Sequence, residues 1–128
     1  IDDAKNTMIL IAEDNEINQI VLSNQLEILG YPHEITANGH DALRKWQSGL
    51  FDLVLTDCQM PLMDGFELTR EIRRQEAEHG PGHTPIIAIT ANALAGEADK
   101  CLETGMDDYL AKPVELSALR RKLSEILS

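Results

Sequence analysis

Three short runs of uninterrupted apolar residues punctuate the chain: residues 8–12 (MILIA), residues 53–55 within FDLVLTD, and residues 86–89 (IIAI). Runs of this length without polar alternation are how strands buried on both faces read, as in the interior of a parallel sheet. Two weaker segments predict further strands, over residues 34–37 after the punctuation of Gly30 and Pro32, and over residues 109–110 ahead of Pro113. Between the strands the apolar positions change to a helical period. Residues 16–29 carry Ile17, Val21 and Ile28 beside Leu22, Leu26 and Leu29, and stop at Gly30, a residue suited to ending a helix. Leu94, Ala98, Cys101 and Leu102 form one helical face, and Leu116, Leu119, Leu123, Ile126 and Leu127 another, both expected to pack on a sheet. Shorter helices are predicted near residues 40–48 and 65–77. The second is opened by Asp64 with Glu67 three residues on, the acceptor and acid of a capping box.

Strand and helix thus alternate five times, with no internal repeat. That order predicts an α/β fold, a doubly wound five-stranded parallel sheet covered by helices on both faces. In such open sheets ligands bind beyond the carboxyl ends of the strands, where the strand order reverses. The polar residues that follow each strand are therefore the candidates for chemistry.

Composition and local motifs refine the picture. The 128 residues fit one domain, and 43% hydrophobic with 26% charged residues excludes a disordered, collagen-like or membrane chain. The net charge of −11 repels nucleic acid phosphates and anionic membrane surfaces, so direct DNA binding is disfavoured. Lys5, Arg44 and Lys45 are the only Lys or Arg before residue 65, so the acidity is concentrated early. Cys58 and Cys101 form no CxxC, which argues for a reducing cytoplasm rather than a disulfide framework or zinc site. The apolar run at 8–12 is far short of the ~18 residues that span a bilayer, and these residues show no signal-peptide pattern. The HGPGH segment at 79–83 reads as a loop whose Gly and Pro keep His79 and His83 off a shared helix face. The polar opening IDDAKN, starting at Ile1, is expected to be the remnant of a linker, residues 1–6, with residues 7–128 forming the domain.

After the first strand come Glu13 and Asp14, after the third Asp57, after the fourth Thr90 and after the fifth Lys112. Singly, each has a plain structural role as a turn residue, helix cap or solvated charge. Together, three carboxylates in one pocket would repel one another unless a cation balanced them. Hard oxygen ligands without His or Cys favour magnesium, with manganese as the alternative ion. The DNEIN segment at 14–18 lacks the glycine and the twelfth-position Glu of a calcium loop. A carboxylate can attack phosphorus to give an acyl phosphate, and phosphoryl transfer asks mainly for alignment and charge neutralisation, which a metal, Lys112 and Thr90 would supply. No GxxxxGK[ST], GxSxG or GxGxxG motif is present, so the donor is expected to be another protein or a small molecule.

Read together, ILIAED, LVLTDCQMPLMDG, IIAITANA and DDYLAKP resemble the receiver domain of bacterial two-component signalling, over residues 8–126. The resemblance implies a flavodoxin-like sheet in the order 2-1-3-4-5 with five helices. It implies that Asp57 is the phosphoacceptor, that Glu13, Asp14, Asp57 and the Gln59 carbonyl hold magnesium, and that Thr90 and Lys112 contact the phosphoryl oxygens. Glu13 stands where many receivers have Asp, which implies a longer or water-mediated metal contact. Thr90 and Tyr109 match the family's switch pair, a population shift between two states. Lys112–Pro113 matches a cis bond. Gln59, Ala91 and Asn92 match positions that gate the attacking water and tune the phosphate's lifetime, with slow self-dephosphorylation expected.

The wording TDCQMPLMDGFELTREIR with ITANALAGE is most similar to receivers of hybrid sensor kinases, which relay phosphate between a kinase histidine and a histidine phosphotransfer domain. A response regulator separated from its effector domain is the alternative within the family. Outside it stand a magnesium-dependent phosphohydrolase with an Asp nucleophile, and a flavodoxin-like binding module without phosphorylation. Against the first, the hydrolase acid two residues after the nucleophile is here Gln59. Against the second, the acidic cluster and Lys112 would have no purpose. A monomer is expected, with partners docking at the pocket mouth near Ile17, Asn18, Ile20 and Val21, at least two of whose apolar members are expected in the core.

Overall fold

The computed structural model describes residues 7–80 and 82–127; the expected linker, residues 1–6, lies outside them. Five strands, β1 (Ile9–Ala12), β2 (His33–Thr36), β3 (Leu53–Asp57), β4 (Ile86–Thr90) and β5 (Asp108–Ala111), alternate with α1 (Glu16–Leu29), α2 (Gly39–Trp46), α3 (Gly65–His79), α4 (Glu97–Thr104) and α5 (Leu116–Leu127). All neighbouring strands pair in parallel, in the order β2-β1-β3-β4-β5. No helix among the described residues is long and apolar enough to cross a membrane.

The continuous apolar runs are explained by burial on both sides. Every residue of β1, β3 and β4 is buried, and successive side chains serve opposite layers. Leu10, Val54 and Ile86 join Ala42, Leu68, Ile72 and Cys101 on the face covered by α2, α3 and α4. Ile9, Ile11, Leu53, Leu55, Ile87 and Ile89 join Leu22, Leu26, Leu119 and Leu123 on the face covered by α1 and α5. Each fully buried Leu or Ile contributes roughly 1.5–3 kcal/mol of transfer free energy. Removing one central strand residue would therefore consume a sizeable share of a marginal stability of about 5–15 kcal/mol.

Helix boundaries follow local chemistry. Asn15 caps α1, its side chain accepting from the Asn18 N–H, and Gly30 ends it at φ 86° in the left-handed region. The capping box of Asp64 and Glu67 is complete in both directions at the start of α3. One expected face is corrected. Leu94 sits not on α4 but in a 3-10 turn, Ala93–Ala95, fully exposed, because Gly96 at φ 87° breaks the period between the turn and α4. Leu102 is also exposed, so Cys101 is the residue that α4 buries. The core expectation for the α1 residues fails as well: Ile17, Ile20 and Val21 are all exposed.

Chain connections run from β1 to β2 on one side and from β3 to β4 and β5 on the other, so the order reverses between β1 and β3. The carboxyl ends of these two strands define the crevice.

Candidate active site

The strand register assembles the acidic cluster. Ala12 lies opposite Thr56 across the β1–β3 pair, which brings Glu13, the residue after β1, level with Asp57, the last of β3. Carboxylate oxygens of Glu13, Asp14 and Asp57 all lie within 4.8 Å of one another. Glu13 and Asp57 are buried and Asp14 is exposed, so the cluster opens to solvent on one side. A small hollow of about 90 Å³ lined by Glu13, Asn18, Lys112 and Pro113 adjoins it. The larger concavity, about 570 Å³, is at the other end of the molecule between Trp46, Gln75, His79 and Thr84, and holds none of the expected site residues.

Lys112 follows β5, and its backbone N–H donates to the Thr90 carbonyl at 2.9 Å, tying the ends of β4 and β5 together. Its ammonium donates to Asp57 Oδ2 at 2.9 Å and stands 3.7 Å from Glu13 Oε1. Asp57 Oδ1 accepts from the Gln59 N–H at 3.3 Å. Glu13 Oε2 accepts from the Asn15 N–H at 3.1 Å, and its carbonyl from Gln19 Nε2 at 2.6 Å. Glu13 Oε1 is buried without a hydrogen-bond partner.

Burial pushes the Glu13 carboxyl above its ordinary range and the Asp57 charge adds to this, against the Asn15 N–H and Lys112, which favour the anion. For Lys112, burial works to lower the ammonium's pKa, but the hydrogen bond and charge of Asp57, with Glu13, outweigh it and raise the pKa. An orphaned buried carboxylate oxygen beside two more carboxylates is a set of hard donors short of positive charge, which fits a small divalent cation.

The remaining expected residues line the same end of the sheet. Thr90 is fully buried at the end of β4. Its hydroxyl donates to the Glu97 carboxylate, and its oxygen accepts from the Asn92 N–H at 3.0 Å. Ala91 and Asn92 are exposed beside it, as is Gln59 beyond β3. Tyr109 on β5 is half-buried against the α2–α4 side of the core, with the Lys122 ammonium 6.0 Å from its ring centre. The Lys112–Pro113 peptide is cis.

Three features of the site carry no signal in the sequence. Glu97 is not separable there from the other surface acids of α4, because its partnership with Thr90 depends on the 3-10 turn and Gly96. Cys58, next to Asp57, places its sulfur 3.7 Å from that of Cys101, and both thiols are free and buried. Gly65 opens α3 directly on the site backbone: its N–H donates to the Cys58 carbonyl at 3.1 Å, and a Cβ there would stand 2.3 Å from the Asp57 carbonyl oxygen.

Comparison with known proteins agrees with this arrangement. Residues 9–124 match the response regulator receiver domain family. The sensor histidine kinase RcsC of Salmonella typhi is 44% identical over 124 residues, which is 96% of this chain but 12% of that protein, so the chain spans only a small part of such relatives. The receiver domain of sensor histidine kinase PA1611 from Pseudomonas aeruginosa, solved with magnesium coordinated in its active-site cleft, superposes with a TM-score of 0.85 at 43% identity, covering 95% of this chain and 98% of that one. The co-crystal structure of the Saccharomyces cerevisiae histidine phosphotransfer protein Ypd1 with the receiver domain of Ssk1 gives 0.89 at 34% identity, over 94% of this chain and 88% of the matched one. With its sheet order, its acidic cluster and a family match over nearly its whole length, the chain belongs to the response regulator receiver domains.

Proposed function

We propose that Asp57 accepts a phosphoryl group from a phosphohistidine of a partner protein, a P–O bond to its carboxylate forming as the P–N bond to the donor imidazole breaks. The observation that carries this is the Asp57 carboxylate itself, buried, hydrogen-bonded to Lys112 and flanked by Glu13 and Asp14, of which Glu13 Oε1 has no hydrogen-bond partner. Magnesium, with manganese as the alternative, would be held by Glu13, Asp14, Asp57 and the Gln59 carbonyl, and when bound it neutralises phosphoryl charge. Lys112 keeps its ammonium at Asp57, where it meets a phosphoryl oxygen. Thr90 supplies a hydroxyl donor, and Tyr109 takes up the change in the β4–α4 region. Gln59, Ala91 and Asn92 border the approach of water and set the lifetime of the acyl phosphate.

The place of the domain is a relay within a hybrid sensor kinase, on the cytoplasmic side, between a kinase histidine and a histidine phosphotransfer domain. Its likeness to RcsC and to the PA1611 receiver supports the first part, and the Ypd1–Ssk1 complex supports the second. A phosphohydrolase acting on small substrates is not favoured, since Gln59 offers neither acid nor base two residues beyond Asp57.

Incubation with acetyl phosphate and magnesium, followed by intact mass measurement, tests the reading. A gain of one phosphoryl group, absent in Asp57→Asn and after chelation, is expected. Failure of the wild-type chain to take up phosphate or to bind beryllofluoride with magnesium would refute it.

A further inference from the structure

The Thr90 hydroxyl has one proton to give, and in this structure it goes to Glu97, the first residue of α4. The other side of the oxygen is taken by the Asn92 N–H at 3.0 Å. Thr90 itself is fully buried, so water cannot freely replace the carboxylate as acceptor. The position ahead of Glu97 is Gly96, which has no side chain and makes no side-chain cap for the helix. The bond therefore joins the end of β4 to the start of α4 across a 3-10 turn and a left-handed glycine.

We infer that Glu97 is a positioning residue, a latch that competes with the phosphoryl group on Asp57 for the Thr90 hydroxyl. The inference rests on the phosphoacceptor reading of Asp57 and on the proposed role of Thr90 as a donor to its phosphoryl group. Two anionic acceptors cannot both receive a single hydroxyl proton. While Thr90 donates to Glu97 the domain holds its resting arrangement, and when Thr90 donates to a phosphoryl oxygen the start of α4 loses its tie to β4. Glu97 thereby sets how much of the binding free energy of the phosphoryl group is spent in releasing α4. A charged acceptor makes a bond roughly twice as strong as a neutral one, so replacing the carboxylate with an amide of the same shape weakens the latch without removing it.

The test is the affinity for beryllofluoride at saturating magnesium, followed by amide NMR titration, in wild type, Glu97→Gln, Thr90→Ala and the double variant. Glu97→Gln is expected to tighten binding about fivefold, and in the Thr90→Ala background the same change is expected to have little effect. The amide resonances of Cys101 and Leu102, one turn further along α4, should also move on binding in wild type and shift part-way toward their bound positions in free Glu97→Gln. Equal tightening in both backgrounds would mean that Glu97 acts only through its negative charge, and unchanged or weaker binding would mean that it does not oppose the bound state. Either result overturns the latch. Absence of binding in wild type would instead bring down the phosphoacceptor reading on which it rests.

Discussion

Lys112 and Asp57 are 55 positions apart in the chain, yet the Lys112 ammonium donates to Asp57 Oδ2 at 2.9 Å. The same ammonium stands 3.7 Å from Glu13 Oε1, so one cation serves two of the three carboxylates at the ends of β1 and β3. It is the resting counter-ion of a site built for more positive charge than the chain supplies.

A cation that pairs with these carboxylates also competes with a metal for them. Lys112→Met should therefore bind magnesium more tightly, by about tenfold, since at 3–4 Å each charge pair is worth on the order of 1 kcal/mol or more even at a partly exposed site. Labelling by acetyl phosphate should nevertheless slow by at least about tenfold, because the contact proposed between the ammonium and the transferring group is gone. Calorimetry gives the first quantity and time-resolved intact mass the second. Unchanged metal affinity would show that Lys112 does not oppose the ion.

Glu13 carries the complementary trade. Its carboxylate is buried with one oxygen lacking a hydrogen bond, and burial and the Asp57 charge raise its pKa. Glu13→Gln keeps an acceptor for the Asn15 N–H and turns an amide donor toward Asp57, relieving like-charge repulsion. Without metal, the variant should be more stable by about 1 kcal/mol, near 4 °C in melting temperature. Addition of magnesium should then raise its melting temperature much less than that of wild type, because stabilisation by a ligand follows its affinity for the folded state. Melting curves with magnesium and with a chelator check both signs at once.

Glu13, Asp57 and Lys112 are legible in the sequence because strand-end residues of a parallel sheet are collected by the register itself. The runs at 8–12, 53–55 and 86–89 fix which residues leave the sheet, and parallel pairing then brings Glu13 and Asp57 level. What stays hidden depends on tertiary detail. Leu94 shares a helical period with Cys101, but the left-handed Gly96 separates its turn from α4 and leaves it exposed, while Leu102, within α4, turns away from the face that buries Cys101. Ile17, Ile20 and Val21 read as core by composition, whereas Leu22 and Leu26, with Leu29 partly, pack on the sheet and Ile17, Ile20, Val21 and Ile28 are left exposed. The partnership of Thr90 with Glu97 has no signature, since one more acid on an acidic helix carries no pattern.

Gly65 predicts a backbone dependence of the site. A Cβ at this position would stand 2.3 Å from the Asp57 carbonyl oxygen and 3.1 Å from the Cys58 Cα, contacts that backbone cannot yield without moving the end of β3. Gly65→Ala should destabilise the domain by about 2 kcal/mol or more and slow acetyl phosphate labelling, although the residue has no side chain near the pocket. A denaturation midpoint close to wild type with full labelling would show that α3 can retreat at no cost.

The two thiols should be inert in the folded chain. Burial pushes both Cys58 and Cys101 above the ordinary thiol range, and each sulfur is within 3.7 Å of the other. A thiol reagent such as dithionitrobenzoate should label neither at pH 8 on the time scale of minutes, and both after unfolding in guanidinium. Fast labelling of the native protein would reveal an opening of the β3–α4 region far more frequent than its packing implies.

The exposed residues of α1 carry the last prediction, which separates recognition from chemistry. Ile17 is 72% and Ile20 60% exposed on the helix that begins three residues beyond Glu13, while Asn18 lines the hollow beside Lys112. This face is the proposed approach for a partner bringing a phosphohistidine to Asp57, and burying two such side chains offers about 2–4 kcal/mol of apolar transfer energy. Ile17→Asp places a charge in that contact without touching the core, since the side chain already faces solvent. Transfer from the phosphorylated histidine phosphotransfer partner should fall by at least about tenfold, whereas labelling by acetyl phosphate, which needs no docked protein, should stay within about twofold of wild type. Equal loss in both assays would point to damage at the acidic cluster, and retention of both would place the docking surface elsewhere on the rim of the sheet.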